Sequence, residues 1–235
     1  MLLVAGVGSR LRPLTDDRPK ALVDVGGETI VGRAVRLLIH YGITRIVLAT
    51  GYRQEAVMAA LADADAELVY CPNPDFDSTQ NSVSLALCAE AVGNRGFFKL
   101  DGDVVFQPEL LRRLDAEPSE LAVGVDSSRM LDEEAMKVVV EATSRRILSF
   151  GKGVPVARSA GESIGVERVS GRLAQRLFQA LAAAPRDVYY EDVYSALIDQ
   201  GSLDARAVEV KDLPWTEIDT FEDLEHARAL LRATR

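Results

Sequence analysis

Met1-Leu-Leu-Val-Ala-Gly6-Val-Gly8-Ser-Arg10-Leu-Arg12-Pro13-Leu-Thr15 opens the chain, and Pro19-Lys20-Ala-Leu-Val-Asp24 follows, with Lys20 ten residues beyond Arg10. A short apolar run, Leu2 to Ala5, enters a turn made of Gly6, Gly8 and Ser9. Glycines at these two positions have no Cβ and tolerate φ > 0, so backbone N–H groups can converge on an anion. Arg10 and Lys20 bring full positive charges to the same loop. Strand, N–H cradle and paired cations together suit a triphosphate. The loop is not the dinucleotide fingerprint G-x-G-x-x-G, because Leu11 stands at the third glycine, and the Walker pattern is absent.

Working outward, 235 residues are enough for one α/β domain with a substantial core. Apolar residues at 48% and charged residues at 27% describe a soluble globule. There is no continuous apolar stretch of about 18 residues to span a bilayer, and the N-terminal run is too short for a secretory signal. Cys71 and Cys88 are isolated and lack metal-ligand spacing, so they read as reduced thiols of a cytoplasmic protein. A net charge of −9 without a basic run argues against nucleic acid as a partner. Only five of the 27 basic residues are lysines (Lys20, Lys99, Lys137, Lys152 and Lys211), so each one is a candidate for a task that arginine does not fill.

Hydrophobic periodicity predicts helices over 29–41, 54–62, 82–91, 172–183 and 191–199, and a last one from about Thr220 to Leu231. Strands are predicted at 45–50, 66–71 and 96–100, then in closer succession at 121–125, 136–141, 146–150 and 163–169. Strands alternating with helices indicate an α/β protein with a mostly parallel sheet covered on both faces. The rhythm changes after Asp103. One domain, 1–235, is expected, with a nucleotide-binding half over about 1–105 and a β-rich acceptor-binding half over about 106–235. Only Leu2 to Ala5 precede Gly6, a short central strand. Met1 is therefore expected to be an internal start or a cost in stability, relieved by added upstream apolar residues.

In such sheets ligands bind beyond the carboxyl ends of the strands. Asp101-Gly102-Asp103 sits at such an end, and residues i and i+2 of an extended chain share a side, so both carboxylates could face one metal, while D-G-D is also a common turn. A second acidic segment, Trp215-Thr-Glu217-Ile-Asp219-Thr220-Phe-Glu222-Asp223, precedes the last helix, with Thr220 and Asp223 spaced as a capping box.

The order of motifs along almost the whole chain resembles one family. After the glycine loop and P-K-A-L-V come Thr79-Gln-Asn81-Ser82-Val-Ser84-Leu, D-G-D-V-V-F, E-A-M-Lys137-V, Gly161-E-S-I-Gly165, Tyr189-Y-E-Asp192 and W-T-E-I-D-T-F-E-D. This string resembles the nucleotidyltransferases, in particular the choline-phosphate cytidylyltransferase-like branch with its aminoalkylphosphonate and inositol-phosphate relatives. The resemblance implies a Rossmann-like, three-layer nucleotidyltransferase fold. It also implies Mg²⁺-dependent transfer of CMP from CTP to a small phosphorylated or phosphonylated acceptor, with release of pyrophosphate. On that pattern Arg10 and Lys20 contact the triphosphate and stabilise the departing pyrophosphate. Ala5, Gly6, Gly8, Ser9, Gln80, Asn81 and Ser82 lie along the nucleotide, and Asp103 and Asp219 hold the metal.

The acceptor is assigned less sharply. Tyr189, Tyr190, Glu191 and Asp192 either form an aromatic and anionic cradle for an ammonium or simply start a helix, with acids at its positive end and Tyr190 packing on Tyr194. Lys137 and Lys152 are candidates for the acceptor's phosphate, and Glu162, Tyr190, Asp192 and Glu217 complete the expected acceptor set. With 6% aromatics and Trp215 as the single tryptophan, a full aromatic cage is not evident, which favours an aminophosphonate or polyol phosphate over phosphocholine. His40 and His226 lie in helical stretches and have no role in this chemistry. Two other readings remain open: a sugar-1-phosphate nucleotidyltransferase using dTTP, UTP or GTP, and a non-catalytic nucleotide-sensing relative. A homodimer is also left open.

Overall fold

Apolar strands alternating with one-sided helices leave each strand with two faces to cover and each helix with one stripe to bury. The computed structural model, which describes residues 1–233, meets both needs with a central sheet between helical layers. The first half contains β1 (Leu2–Leu3), α1 (Ile30–His40), β2 (Arg45–Thr50), α2 (Gln54–Ala60), β3 (Glu67–Pro72), α3 (Asn81–Ala86), α4 (Ala89–Val92), β4 (Phe97–Asp101) and β5 (Val104–Val105). Next come α5 (Glu109–Ala116), β6 (Leu121–Asp126), β7 (Lys137–Val140), β8 (Ile147–Gly151) and β9 (Gly161–Val169). The chain continues through α6 (Gly171–Ala183), α7 (Tyr190–Asp199), β10 (Ala205–Glu209), β11 (Thr216–Glu217) and α8 (Phe221–Ala233).

The main sheet runs β10-β6-β9-β4-β1-β2-β3, with β7 joined to β9 and β8 to β7. β3, β2, β1 and β4 are mutually parallel, as are β6 and β10. The long strand β9 enters antiparallel between β4 and β6 and also pairs with β7, so the mixed pairing lies in the second half. α1 shows why a helix forms where it does: Thr29 accepts the Gly32 N–H at its start, and Val31, Val35 and Leu38 face the sheet.

One apolar core packs α3, α6 and α7 on one face of the sheet through Leu85, Leu173, Leu177 and Tyr194. The other packs α1, α2 and α5 on the opposite face through Val35, Leu38, Val57 and Leu114. Both cores draw residues from either side of position 105. A third, smaller cluster of Leu11, Val23, Ile30, Val105, Ile218 and Leu224 clamps α8 against the N-terminal loop. That cluster positions the site described below.

Several elements differ from the sequence expectation, the two-residue strands β5 and β11 among them. The helix expected over 82–91 is broken into α3 and α4. Cys88 Sγ takes the Ser84 carbonyl, and the Cys88 N–H closes a tighter turn onto Leu85 at 3.1 Å. α5 and β10 have no counterpart in the expectation. The first is short, with three buried leucines, and the second carries alanines at inward positions, a weak strand signal that parallel pairing with β6 overrides. Among the described residues no helix is long and apolar enough to cross a membrane.

Candidate active site

The N-terminal loop is held by close approach. Gly8 has φ +75°, and a Cβ there would lie 2.5 Å from Lys20 Cβ, so the stem of Lys20 packs directly on the turn. Thr15 Oγ1 donates to the Gly8 carbonyl at 2.8 Å and ties the loop back on itself, while Leu11 is fully buried beneath it. Gly6, expected to share the positive φ, does not adopt one. A Cβ on Gly6 would meet no protein atom within 4 Å, so this side of the loop faces open space.

A two-stranded ribbon brings distant acids to this loop. β5 and β11 pair antiparallel, with Val104 opposite Glu217, and the Ile218 N–H donates to the Asp103 carbonyl at 3.0 Å. Asp103, Glu217 and Asp219 thereby offer carboxylate oxygens within 4.8 Å of one another. Asp223 accepts the Asp219 and Thr220 N–H groups at 3.0 and 2.8 Å, and its own N–H returns to Thr220 Oγ1, so the capping box holds Asp219 at the helix entrance. Lys20 Nζ lies 2.7 Å from Asp103 and 2.5 Å from Asp219, and Arg10 reaches the other oxygen of Asp219 at 2.8 Å. Burial works against the Lys20 ammonium, but the Asp103 and Asp219 charges outweigh it and raise its pKa. Glu217 is exposed as a residue, yet its carboxyl turns into the cluster. Loss of solvent, then the Asp103 and Asp219 charges, push its pKa up to about 8.

Asp101 stands apart from the Asp103, Glu217 and Asp219 cluster, and Asp101-Gly102-Asp103 takes the turn alternative. Gly102 passes so close to the Leu3 carbonyl that a Cβ would lie 2.3 Å from it, and the chain turns there instead of remaining extended. Asp101 accepts the Tyr190 hydroxyl at 2.8 Å and pairs with Lys99 at 3.2 Å. Lys99 also pairs with Glu167 at 3.2 Å and bonds to the Tyr190 hydroxyl, and Tyr194 donates to Glu167 at 2.9 Å. Gly165 permits this network, since a Cβ there would meet Asp101 Oδ2 at 2.3 Å. Burial opposes the Lys99 charge, and Asp101, Glu167 and Glu191 outweigh it, so the ammonium is retained.

Between the acidic cluster and this network lies a cavity of about 380 Å³. Arg10, Asn81, Lys152, Glu162, Glu217 and Asp219, all expected in the site, line it. Burial raises the pKa of Glu162, and Lys152 is paired with Glu134 at 2.9 Å and stands 5.2 Å over the Tyr189 ring. Gln80, Asn81 and Ser82 fasten the start of α3 to the approach to α7. The Gln80 N–H donates to the Arg186 carbonyl, Asn81 accepts the Tyr190 N–H, and Ser82 donates to the Val188 carbonyl. The Ala5 carbonyl accepts the Tyr52 N–H, and Ser9 begins a single 3₁₀ turn ending at Leu11.

Three expected acceptor residues point elsewhere. Lys137 is buried, and its ammonium is bonded to the carbonyls of Asp132, Glu133 and Ala135. Tyr190 is buried in the Lys99 network, and Asp192 caps α7 by accepting the Tyr189 N–H at 2.9 Å. The cavity wall at this helix is made by Tyr189 and Glu191. Sequence reasoning missed Arg129, which stacks 3.9 Å over the Trp215 ring and donates to its carbonyl at the cavity edge. Nothing in its local sequence distinguishes it from other surface arginines. A more apolar cavity of about 490 Å³ lies at the opposite end of the strands, around Tyr41, Phe97 and Phe98, away from the acidic cluster.

A cation-bearing glycine loop thus faces a carboxylate cluster at the carboxyl end of the parallel strands. The MobA-like NTP transferase domain model matches residues 1–191. The chain belongs to this family. Among curated proteins, this nucleotidyltransferase is 32% identical to CMP-5'-(3-aminopropyl)phosphonate synthase of Streptomyces rubellomurinus, across 97% of the chain but only 38% of that protein. It is 28% identical to CTP:phosphoglutamine cytidylyltransferase of Campylobacter jejuni, across 96% of the chain and 97% of the relative. Among solved structures, the inositol-1-phosphate CTP transferase from T. maritima superimposes with a TM-score of 0.83 at 26% identity, covering 98% of this chain and 93% of that one. The chain thus spans well under half of one curated relative and nearly all of the other.

Proposed function

We propose that this nucleotidyltransferase moves CMP from CTP onto a phosphate or phosphonate oxygen of a small acceptor, releasing pyrophosphate. The observation that carries this reading is the meeting of Arg10 and Lys20 with Asp103, Glu217 and Asp219 at the mouth of one cavity. The acceptor oxygen is already an anion at neutral pH, so no strong general base is required. The barrier is the approach of one anion to the phosphorus of another. Arg10 and Lys20 lower it by neutralising the triphosphate and the departing pyrophosphate, and the loop around Gly6 gives the chain of phosphates room to lie against backbone N–H groups.

Asp103, Glu217 and Asp219 suit a hard divalent ion. They are all oxygen donors, and Asp103 Oδ1 is buried without a hydrogen-bond partner. Mg²⁺ bound there would supply charge neutralisation and alignment of the reacting phosphates.

An acceptor carrying a primary ammonium is favoured over a polyol phosphate by the charge count around Lys99, where Asp101 and Glu191 reach the cavity and Glu167 is fully buried. Three carboxylates (Asp101, Glu167 and Glu191) surround the single ammonium of Lys99. Glu191 is 4% exposed, lines the cavity and has one oxygen without a hydrogen-bond partner. With Glu191 holding its proton at neutral pH, Asp101 and Glu167 face the Lys99 ammonium alone, and a buried network short of one cation gains from a ligand that brings it. Lys152 and Arg129, at the other side of the cavity, suit the acceptor's anionic end.

A pyrophosphate-release matrix tests the proposal: CTP, UTP, dTTP, GTP and ATP against aminoethylphosphonate, phosphocholine, inositol phosphate and sugar-1-phosphates. CTP with an amine-bearing acceptor is expected to give the highest kcat/KM. Faster release with UTP or dTTP and a sugar-1-phosphate overturns it.

A further inference from the structure

Both cations that the proposed reaction needs at the triphosphate are engaged with the acidic cluster. Lys20 Nζ takes one oxygen from Asp103 and one from Asp219, and Arg10 takes the second oxygen of Asp219. Asp219 therefore has no free oxygen, and of the two aspartates only Asp103 Oδ1 lacks a partner. The Lys20 side chain is 13% exposed, so its ammonium is held in a site largely withdrawn from water. To use Asp219, a divalent ion arriving alone would have to break its bonds to Lys20 and Arg10 and then lie beside a displaced ammonium. Such bonds are about twice as strong as neutral ones.

The same geometry shows how the contacts could be released together. The stem of Lys20 is fixed by its packing on Gly8, so only its end needs to turn. Arg10 is 61% exposed on its side chain and is free to swing. Gly6, on the same loop as Gly8 and Arg10, has open space where a Cβ would stand. A triphosphate placed there offers each cation several oxygens in exchange for those it leaves.

We propose that Lys20 and Arg10 close the metal site of the free protein, and that a nucleoside triphosphate opens it by drawing both cations onto its own phosphates. The inference rests on the reading that the site takes a nucleoside triphosphate with a divalent ion. It goes beyond that reading in giving the free protein a self-blocked cluster. Metal and nucleotide then bind with positive coupling, and linkage makes the coupling equal in both directions. The ion enters with the nucleotide, and the free protein is protected from charging its cluster with stray divalent ions.

The experiment is a Mn²⁺ titration followed by electron paramagnetic resonance, without nucleotide, on the wild type, Lys20→Met and Arg10→Ala, with circular dichroism to check the fold. A parallel calorimetric titration of CTP into the wild type, with and without Mg²⁺ and without acceptor, measures the coupling from the other side. Weak Mn²⁺ binding by the wild type, tightened about tenfold or more in Lys20→Met and several-fold in Arg10→Ala, supports the inference, as does CTP affinity that rises with Mg²⁺. Arg10→Ala, a change at an exposed side chain, keeps the test open should Lys20→Met not fold. Equal Mn²⁺ affinity in all three folded proteins overturns the inference and leaves the metal-assisted reading standing. No Mn²⁺ binding by any of them, together with CTP binding indifferent to Mg²⁺, overturns both.

Discussion

Lys20 and Lys99 are two lysines held between carboxylates, with Asp101-Gly102-Asp103 dividing them, and burial separates what they can do. Lys20, its side chain 13% exposed, pairs with Asp103 and with Asp219, and Asp219 lines the cavity. Lys99 is fully buried with Asp101, Glu167 and the two tyrosines of α7. The chemical groups are nearly the same. At the surface of a cleft such a pair can exchange partners at modest cost. In the interior each charge depends on the others, because an unpaired buried charge is severely penalised.

The sharpest way to break this contrast is to remove each ammonium. Lys99→Met leaves Asp101 and Glu167 buried without their cation and is expected to cost about 3–5 kcal/mol in urea unfolding. Lys20→Met is expected to cost about 1 kcal/mol, in keeping with a partly solvated pair. Adding Glu167→Gln to Lys99→Met should recover part of the loss, as expected of coupled neighbours. Equal losses from the two single variants would erase the distinction.

On the Lys20 side the effect is expected in turnover. Asp103→Asn and Asp219→Asn should each remain folded and lower kcat by at least about a hundredfold, the size of losing one electrostatic stabiliser. Either variant running at near-normal rate with saturating Mg²⁺ removes the acidic cluster from the reaction.

A smaller effect separates the two lysines of the second half. Lys152 faces the cavity, whereas the Lys137 ammonium binds three backbone carbonyls. Lys152→Ala is expected to raise the acceptor KM by about tenfold while CTP affinity holds. Lys137→Ala should lower the melting temperature and leave that KM unchanged. The reverse pattern would return Lys137 to the acceptor.

A pH-dependent signal is expected from Glu191, whose pKa burial pushes up from the ordinary 4.5 to about 8. A carboxyl with a raised folded pKa contributes stability that is fully present below its unfolded pKa and lost as pH rises through the folded one. Wild-type unfolding free energy should therefore fall relative to Glu191→Gln between about pH 4.5 and pH 8 and run parallel to it above. Parallel curves across that window would mean that Glu191 does not hold its proton in the folded protein.

Local chemistry was legible in the residues themselves. Glycine spacing, the apolar run before it and the alternation of strands and helices are set by backbone sterics and by side-chain periodicity, and both are written in sequence order. They indicated an α/β sheet with a cation-bearing loop at a strand end, and the family resemblance picked out Asp103 and Asp219, which do meet. Glu217 was placed with the acceptor, yet it stands in their cluster, because the register of β5 against β11 was not visible in either segment alone. Tyr190, Asp192 and Lys137 carried the right chemical groups, but each group is spent on an internal contact. Sequence determined which charges this protein owns and which short elements carry them. Tertiary structure alone decided which charges are buried, because burial depends on packing between segments a hundred residues apart, and it is burial that separates the ammonium of Lys99 from that of Lys20.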